Sequence, residues 1–132
     1  MEVIAKKLAY INRTPKDAVM FDIDDTLIRS SDQSMIEDSY KILKLAKRLG
    51  YKVIIITARP PEAMENTKDQ MREYNIPYDG LFITPANNKG NVKRKTGLRF
   101  VLSVGDMKTD CTDSIYSLKL PGPHDGDGYF KG

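Results

Sequence analysis

An α/β domain with a parallel sheet and helices on both of its faces is the fold class this sequence predicts, and three observations carry the prediction. Three short apolar runs, 18–21, 53–56 and 100–104, have strand length without alternation, as strands buried on both faces do. Helix-periodic segments separate them, which is the pattern of strand–helix–strand crossovers. Each run ends in polar residues: Asp22-Ile23-Asp24-Asp25-Thr26, then Thr57, then Gly105-Asp106 with Asp110 four positions on. In open α/β sheets that carboxyl edge is where ligands bind.

Taken in order, residues 2–12 place Val3, Ile4, Leu8 and Ile11 at helical spacing, which predicts a short amphipathic helix against the sheet. Thr14-Pro15-Lys16-Asp17 turns the chain into the first strand. Residues 27–34 grow polar and rich in turn formers. A helix is predicted over about 36–49, with Ile36, Tyr40, Leu43, Ala46 and Leu49 on its inner face and Gly50 as its stop. After the second strand, Pro60-Pro61 suits a helix start, because first-turn amides lack partners in any case. That helix is predicted over about 61–74, with Met64, Met71 and Tyr74 inward as core filler. A loop over 75–80, a strand over 81–84 and a basic helix over about 88–96 stopped by Gly97 follow. Residues 113–120 read as a brief helix and strand, and 121–128 as a Gly- and Pro-rich loop.

The chain has 132 residues, enough for one domain with a real core and too few for two. A hydrophobic content of 40% with 30% charged residues is that of an ordinary soluble globular protein. The longest apolar run, 53–56, is far short of a membrane span, and charges interrupt the first eight residues where a signal peptide needs an apolar stretch. One cysteine, Cys111, cannot form an intrachain disulfide, so a reducing, cytoplasmic location is expected. The net charge of +3 does not by itself point to nucleic acid. Lys89, Lys93, Arg94, Lys95 and Arg99 do cluster, and read first as a solvated helix face with one catalytic lysine.

The chemistry sits at the strand ends. Unpaired carboxylates cannot pass through a buried strand, so Asp22, Asp24 and Asp25 belong at its carboxyl end. Clustered there they repel one another unless a cation neutralises them, and hard carboxylate oxygens suit Mg²⁺. Asp22 and Asp24, two residues apart, face the same way on an extended chain.

This constellation resembles the haloacid dehalogenase-like superfamily of phosphotransferases. Asp22-Ile23-Asp24-Asp25-Thr26 matches its Asp-x-Asp-x-Thr motif, Thr57 its strand-end hydroxyl, and Gly105-Asp106-Met107-Lys108-Thr109-Asp110 its Gly-Asp-x-x-x-Asp motif. Thr57-Ala58-Arg59-Pro60 and Leu118-Lys119-Leu120-Pro121-Gly122-Pro123 resemble its small acid-phosphatase-like subfamily, with a core at about 18–123. The resemblance implies a three-layer, Rossmann-like α/β/α domain with a parallel central sheet. Neither usual insertion point has room for a cap domain. It further implies Asp22 as nucleophile, Asp24 as general acid–base, and Thr57 as hydrogen-bond donor to the phosphate. A lysine steadies the phosphoryl charge: Lys89 is preferred to Lys93, one turn further along the same face. Asp22, the Asp24 carbonyl, Asp106 and Asp110 would hold Mg²⁺, Asp110 directly or through water. Asp25 is expected to give its backbone amide to the phosphate and its side chain to solvent. Asp113 is a weaker metal candidate and reads as a helix start; His124 is an exposed loop residue and Cys111 a packed one.

The function so implied is a Mg²⁺-dependent phosphomonoester hydrolase working through a phospho-aspartate. An open, capless site implies a large phosphorylated substrate or a partner chain that closes it. Two alternatives stand beside it. One is a nucleic-acid end phosphatase gripping the backbone with 89–99, a run without the interleaved aromatics of a stacking platform. The other is a silent phosphate-binding scaffold of the same fold.

Overall fold

The computed structural model describes residues 2–122 and 125–132. It runs α1 (Glu2–Tyr10), β1 (Asp17–Phe21), α2 (Glu37–Arg48), β2 (Lys52–Thr57), α3 (Met64–Glu73), β3 (Gly80–Ile83), α4 (Lys89–Thr96), β4 (Arg99–Gly105), β5 (Tyr116–Lys119) and β6 (Tyr129–Lys131). The strands form one sheet ordered β3-β2-β1-β4-β5-β6. The first five are parallel, and β6 closes the far edge antiparallel to β5. The three apolar runs are thus the three central strands, as their lack of alternation requires.

Successive side chains on a strand point to opposite faces, and the sheet sorts them accordingly. Val19, Phe21, Val53, Ile55 and Val101 meet Ile4 and Leu8 of α1, Ile42, Leu43 and Ala46 of α2, and Met71 of α3. Ala18, Met20, Ile54, Ile56 and Phe100 face the other way and meet only Val92 of α4 and Leu98 just after it. Burying side chains of this size contributes about 1.5–3 kcal/mol each, so the first layer supplies most of the stability. The architecture is the expected three-layer, Rossmann-like one, with one face covered by three helices and the other by a single short one.

Helix ends follow local rules. Gly97 takes a left-handed φ of 73° and its amide bonds to the Arg94 carbonyl, ending α4. Gly50, at φ 92°, closes α2 in the same way. Neither connection near the sheet's carboxyl edge carries a cap. Residues 29–34 close on themselves, with the Arg29 amide bonded to Ser34 and the Gln33 amide to Arg29, and Tyr74 Oη donates to the Gln33 carbonyl at 2.5 Å. Among the described residues, no helix is long and apolar enough to cross a membrane.

Four expectations need correction. Val3 is 57% exposed, so α1 buries Ile4 and Leu8 without it. The predicted helix over 61–74 begins as a 3-10 turn at Pro61–Ala63 before α3 proper. No helix forms over 113–120: Asp113 has φ 55°, and the Ile115 amide donates to the Phe100 carbonyl, drawing the chain straight into β5. Sheet hydrogen bonding wins over a weak helical pattern there. The tail supplies β6, too short to stand out in sequence, and His124 lies outside the described residues.

Candidate active site

The Asp22 amide still donates to the Val104 carbonyl at 3.1 Å, so the first carboxylate is held by the sheet it terminates. β4 ends alongside, at Gly105, and delivers Asp106. A 3-10 turn over 108–110 then folds Asp110 back against Gly105, where any side chain would overlap its carboxyl group. Glycine is required at 105 for this reason. Oxygens of Asp22, Asp106 and Asp110, all buried, lie within 4.8 Å of one another.

Lys89 enters this cluster from the first turn of α4. Its Nζ lies 3.2 Å from Asp22 Oδ1 and 2.6 Å from Asp110 Oδ1. The second Asp110 oxygen accepts from the Met107 amide at 3.1 Å, so both oxygens of Asp110 have protein partners. Burial pushes the Asp22 carboxyl up to about 8, aided by the Asp110 charge and opposed by Lys89. Burial likewise raises Asp106, with Asp110 again adding. Burial works against charge on Lys89, but Asp22 and Asp110 outweigh it and hold its ammonium above the ordinary range. One lysine meets three carboxylates, so the cluster is net negative once Asp22 and Asp106 are ionised. A small, buried, all-oxygen donor set of that charge fits a hard divalent cation such as Mg²⁺.

Asp24 opens onto the same cleft, about 380 Å³ in volume, lined also by Asp22, Asp25, Thr57, Arg59 and Asp106. Arg59 grips both Asp24 oxygens, Nε–Oδ2 at 3.0 Å and Nη2–Oδ1 at 2.9 Å, and its third nitrogen donates to Thr67 Oγ1 on α3. Sequence reasoning assigned Arg59 no role, although its place two residues beyond Thr57 puts it at the same sheet edge. Thr57 is buried at the floor. The Asp25 amide is not offered to a phosphate, since it donates to the Ile28 carbonyl at 2.7 Å, while its carboxylate lies in exposed surroundings and accepts from Ser30 amide and hydroxyl. Asp25 builds the turn.

Lys93 points away from the cleft. Its Nζ donates to Ser103 Oγ at 2.9 Å and to the carbonyls of Asp110 and Thr112 at 2.7 and 2.6 Å, staking the Asp110 loop to β4. Buried Lys119 does the same for the last loop, donating to the carbonyls of Leu120, Gly126 and Asp127. That loop packs Gly122 under Asp106 and accepts the Lys108 amide on Asp125. The basic run is therefore divided: Lys89 and Lys93 turn inward, while Arg94, Lys95 and Arg99 stay exposed. Lys89 and Lys93 are buried, Arg94 pairs with Asp113 at 2.7 Å, and Arg99 pairs with Asp17 at 2.6 Å. Asp113 is occupied outside the carboxylate cluster. Cys111 is half-buried, and burial raises its thiol, as expected of a packed residue.

With this geometry in place, comparison with known proteins is direct. The family model for haloacid dehalogenase-like hydrolases matches residues 19–110. The fold is similar to the class C acid phosphatase from Bacillus anthracis, with a TM-score of 0.66 and 17% identity over 82% of this chain and 60% of that one. It is also similar to a chain of the Pnkp1/Rnl/Hen1 complex (TM-score 0.58, 23% identity, 71% of this chain and 40% of that one). A chain of the Pnkp1/Rnl/Hen1 RNA repair complex gives a TM-score of 0.57 and 25% identity, over 71% of this chain and 37% of that one. The match thus takes in 60% or less of each of these longer chains. No curated protein matches the sequence. The family match takes in the first carboxylate motif, Thr57, Lys89 and the Gly105–Asp110 turn, and by it the chain belongs to the haloacid dehalogenase-like hydrolases.

Proposed function

We propose that this protein is a Mg²⁺-dependent phosphomonoester hydrolase that works through a phospho-aspartate on Asp22. The observation that carries the reading is the buried contact of Lys89 with Asp22 and Asp110 beside Asp106, in a cleft that also holds Asp24 and Thr57. In the first step an Asp22 oxygen attacks phosphorus and the bond to the leaving oxygen breaks, while the Asp24 carboxyl gives that oxygen its proton. In the second, Asp24 takes a proton from water as the water attacks phosphorus, and Asp22 is released with inorganic phosphate. Lys89 steadies charge on the transferring group, and Thr57 donates its hydroxyl to a phosphate oxygen. Arg59, braced by Thr67, keeps the ionised Asp24 at the cleft, and the pair has to open for Asp24 to carry its proton. Asp22, Asp106 and the Asp24 carbonyl would hold the ion, and Asp110, both of whose oxygens are engaged by Lys89 and the Met107 amide, would act through Lys89. A bound Mg²⁺ supplies charge that offsets repulsion between the Asp22 carboxylate and the phosphate.

A capless cleft supports a large substrate or a partner that closes the site, and the single cysteine supports a reducing, cytoplasmic setting. The test is hydrolysis of p-nitrophenyl phosphate, a nucleotide and a sugar phosphate, with Mg²⁺ and with chelator, by the wild type and Asp22→Asn. Turnover that needs Mg²⁺ and vanishes in Asp22→Asn is expected. Undiminished turnover in Asp22→Asn would sink the mechanism, and silence on every substrate would favour the scaffold reading.

A nucleic-acid end is the second substrate reading, favoured by the likeness to a chain of an RNA repair complex. Of the 89–99 cations, Lys89 and Lys93 are buried and Arg94 and Arg99 are paired, which leaves Lys95 as the exposed one unpaired among the described residues and weakens the grip first assigned to the run. Under this reading an end-phosphorylated oligonucleotide is turned over faster than its mononucleotide, with a rate that falls steeply as salt rises.

A further inference from the structure

The sheet face that carries only α4 is not fully covered. Beside the helix lies a groove of about 520 Å³, lined by Ile54, Gly80, Phe82, Val92 and Leu98. Position 80 has no side chain, and this lets Ile54 and Phe82 close over it. A Cβ there would stand 3.1 Å from Ile54 Cδ1 and 3.2 Å from the Phe82 ring. Phe82 is left 37% exposed as the groove's outer wall. The strand that forms this wall, β3, is the end of the sheet and pairs with β2 alone, so its outer edge offers backbone hydrogen-bonding groups to a further strand. An apolar groove and an open strand edge coincide here, the combination that strand-addition sites use.

Charge decides the occupant. The rim carries Lys52 and Lys95, both exposed, and among the described residues neither is held in an ion pair. Asp79, also on the rim, feels Lys52 but is bound by Lys47 at 3.1 Å and accepts the Val53 amide, so one carboxylate faces three lysines and the rim stays net positive. A second copy of the chain would bring two more lysines against these two. An extended segment with acidic residues alternating with apolar ones complements both the rim and the floor.

We propose that the β3 edge and its groove dock an extended, acidic–apolar peptide segment of a partner chain by strand addition. The groove and the carboxyl-edge cleft share no lining residue, so a segment seated in the groove leaves the cleft open. The surface gives the protein a way to be held beside its substrate while the cleft works, and it does not depend on which phosphoester the cleft accepts.

The test uses the whole chain and a short fluorescein-labelled peptide of alternating leucine and glutamate, with the leucine–lysine peptide as its counterpart. The wild type is expected to bind the glutamate peptide by fluorescence anisotropy, with amide shifts confined to Gly80–Ile83, Lys52–Ile54 and Val92–Leu98. The double charge reversal Lys52→Glu with Lys95→Glu should weaken that binding about tenfold and favour the lysine peptide. Hydrolysis of p-nitrophenyl phosphate should be unchanged in that variant, so failure of the phosphatase reading and of this one are separate results. Equal affinity in the reversed variant, shifts away from β3, or no binding at millimolar peptide would overturn the proposal. So would a concentration-dependent dimer in light scattering that Phe82→Glu abolishes, since it would assign the groove to a second copy.

Discussion

Lys89 and Lys93 stand one turn apart on α4, both at most 2% exposed, and the chain treats them in opposite ways. Lys89 faces two carboxylates, and they hold its ammonium charged against the pull of burial. Lys93 faces a hydroxyl and two carbonyls, which bind an ammonium without balancing its charge, and burial drives it down to about 8. Burial is common to both; carboxylates touch Lys89 directly and reach Lys93 only through space, and that difference separates them. A buried lysine with ionic partners is an electrostatic device; one with neutral partners is a brace. The same helix face thus serves the cleft with one residue and the loop that shapes the cleft with the next.

The most severe way to break this contrast is Lys89→Met. Asp22 and Asp110 then lose their only cation while remaining buried, and the transferring phosphoryl group loses a donor. Loss of one such preorganised donor costs about 10²–10³ in kcat, which steady-state hydrolysis of p-nitrophenyl phosphate reads directly. Chelator-treated Lys89→Met should also melt below the chelator-treated wild type, and Mg²⁺ should recover part of the difference. A variant that keeps wild-type kcat would show that Lys89 is structural after all.

Lys93→Met should behave differently. It removes no charge from the cleft but frees the part-buried Thr112 carbonyl together with Ser103 Oγ and the Asp110 carbonyl, two buried acceptors whose loss of a partner costs about 1–3 kcal/mol each. Relief from burying an ammonium offsets part of that. A fall in melting temperature with a kcat loss of about tenfold is expected, well short of the loss for an oxyanion donor. A kcat loss equal to that of Lys89→Met would erase the distinction between device and brace.

This contrast also marks how far the sequence could be read. Asp22, Asp24, Thr57, Asp106 and Asp110 were legible because a buried apolar strand has only one place for a following carboxylate or hydroxyl, the sheet's edge. Lys89 was legible as a candidate, but Lys93 shares its helix face, and choosing between them depends on where residues 103 and 110–112 lie. Nothing local carries that information. Arg59 sat in view, two residues past Thr57, yet its partner Asp24 is 35 positions away in the chain. Asp113 misled because its left-handed φ of 55° and its pairing with Arg94 arise from the β4–β5 turn, not from any helix of its own.

Titration sharpens the comparison, because the two environments give stability slopes of opposite sign. In metal-free protein the folded Asp22 carboxyl is raised from 3.8 to about 8. The folded state then binds the extra proton across that window, so stability is lost as pH rises through it. Lys93 is lowered from 10.5 to about 8, so the unfolded state binds the extra proton above about 8 and stability is regained as pH rises towards 10.5. Together they predict a minimum in melting temperature near pH 8 without metal. Asp22→Asn should flatten the acid limb and Lys93→Met the alkaline one. Because Mg²⁺ favours the ionised carboxylates, it should stabilise the wild type more at pH 8 than at pH 5. Thermal melts across pH, with and without Mg²⁺, separate these effects, and parallel curves in all three proteins would refute the assignment of either limb.

The smallest expected effect comes from the residue next door. Arg94 also carries positive charge on α4, and it meets Asp113 at 2.7 Å, but its side chain is 59% exposed. Water screens the pair and already solvates both partners, so an exposed bridge of this kind contributes only about 0.2–1 kcal/mol. Arg94→Ala should lower the melting temperature by a few degrees at most, leave kcat unchanged, and lose even that effect in high salt, where exposed pairs are screened. Lys93→Met should keep its penalty in the same salt, because no mobile ion reaches Ser103 or the Asp110 carbonyl. If both variants responded to salt alike, Lys93 would be stabilising through long-range charge rather than through its three acceptors, and the brace would have to be abandoned.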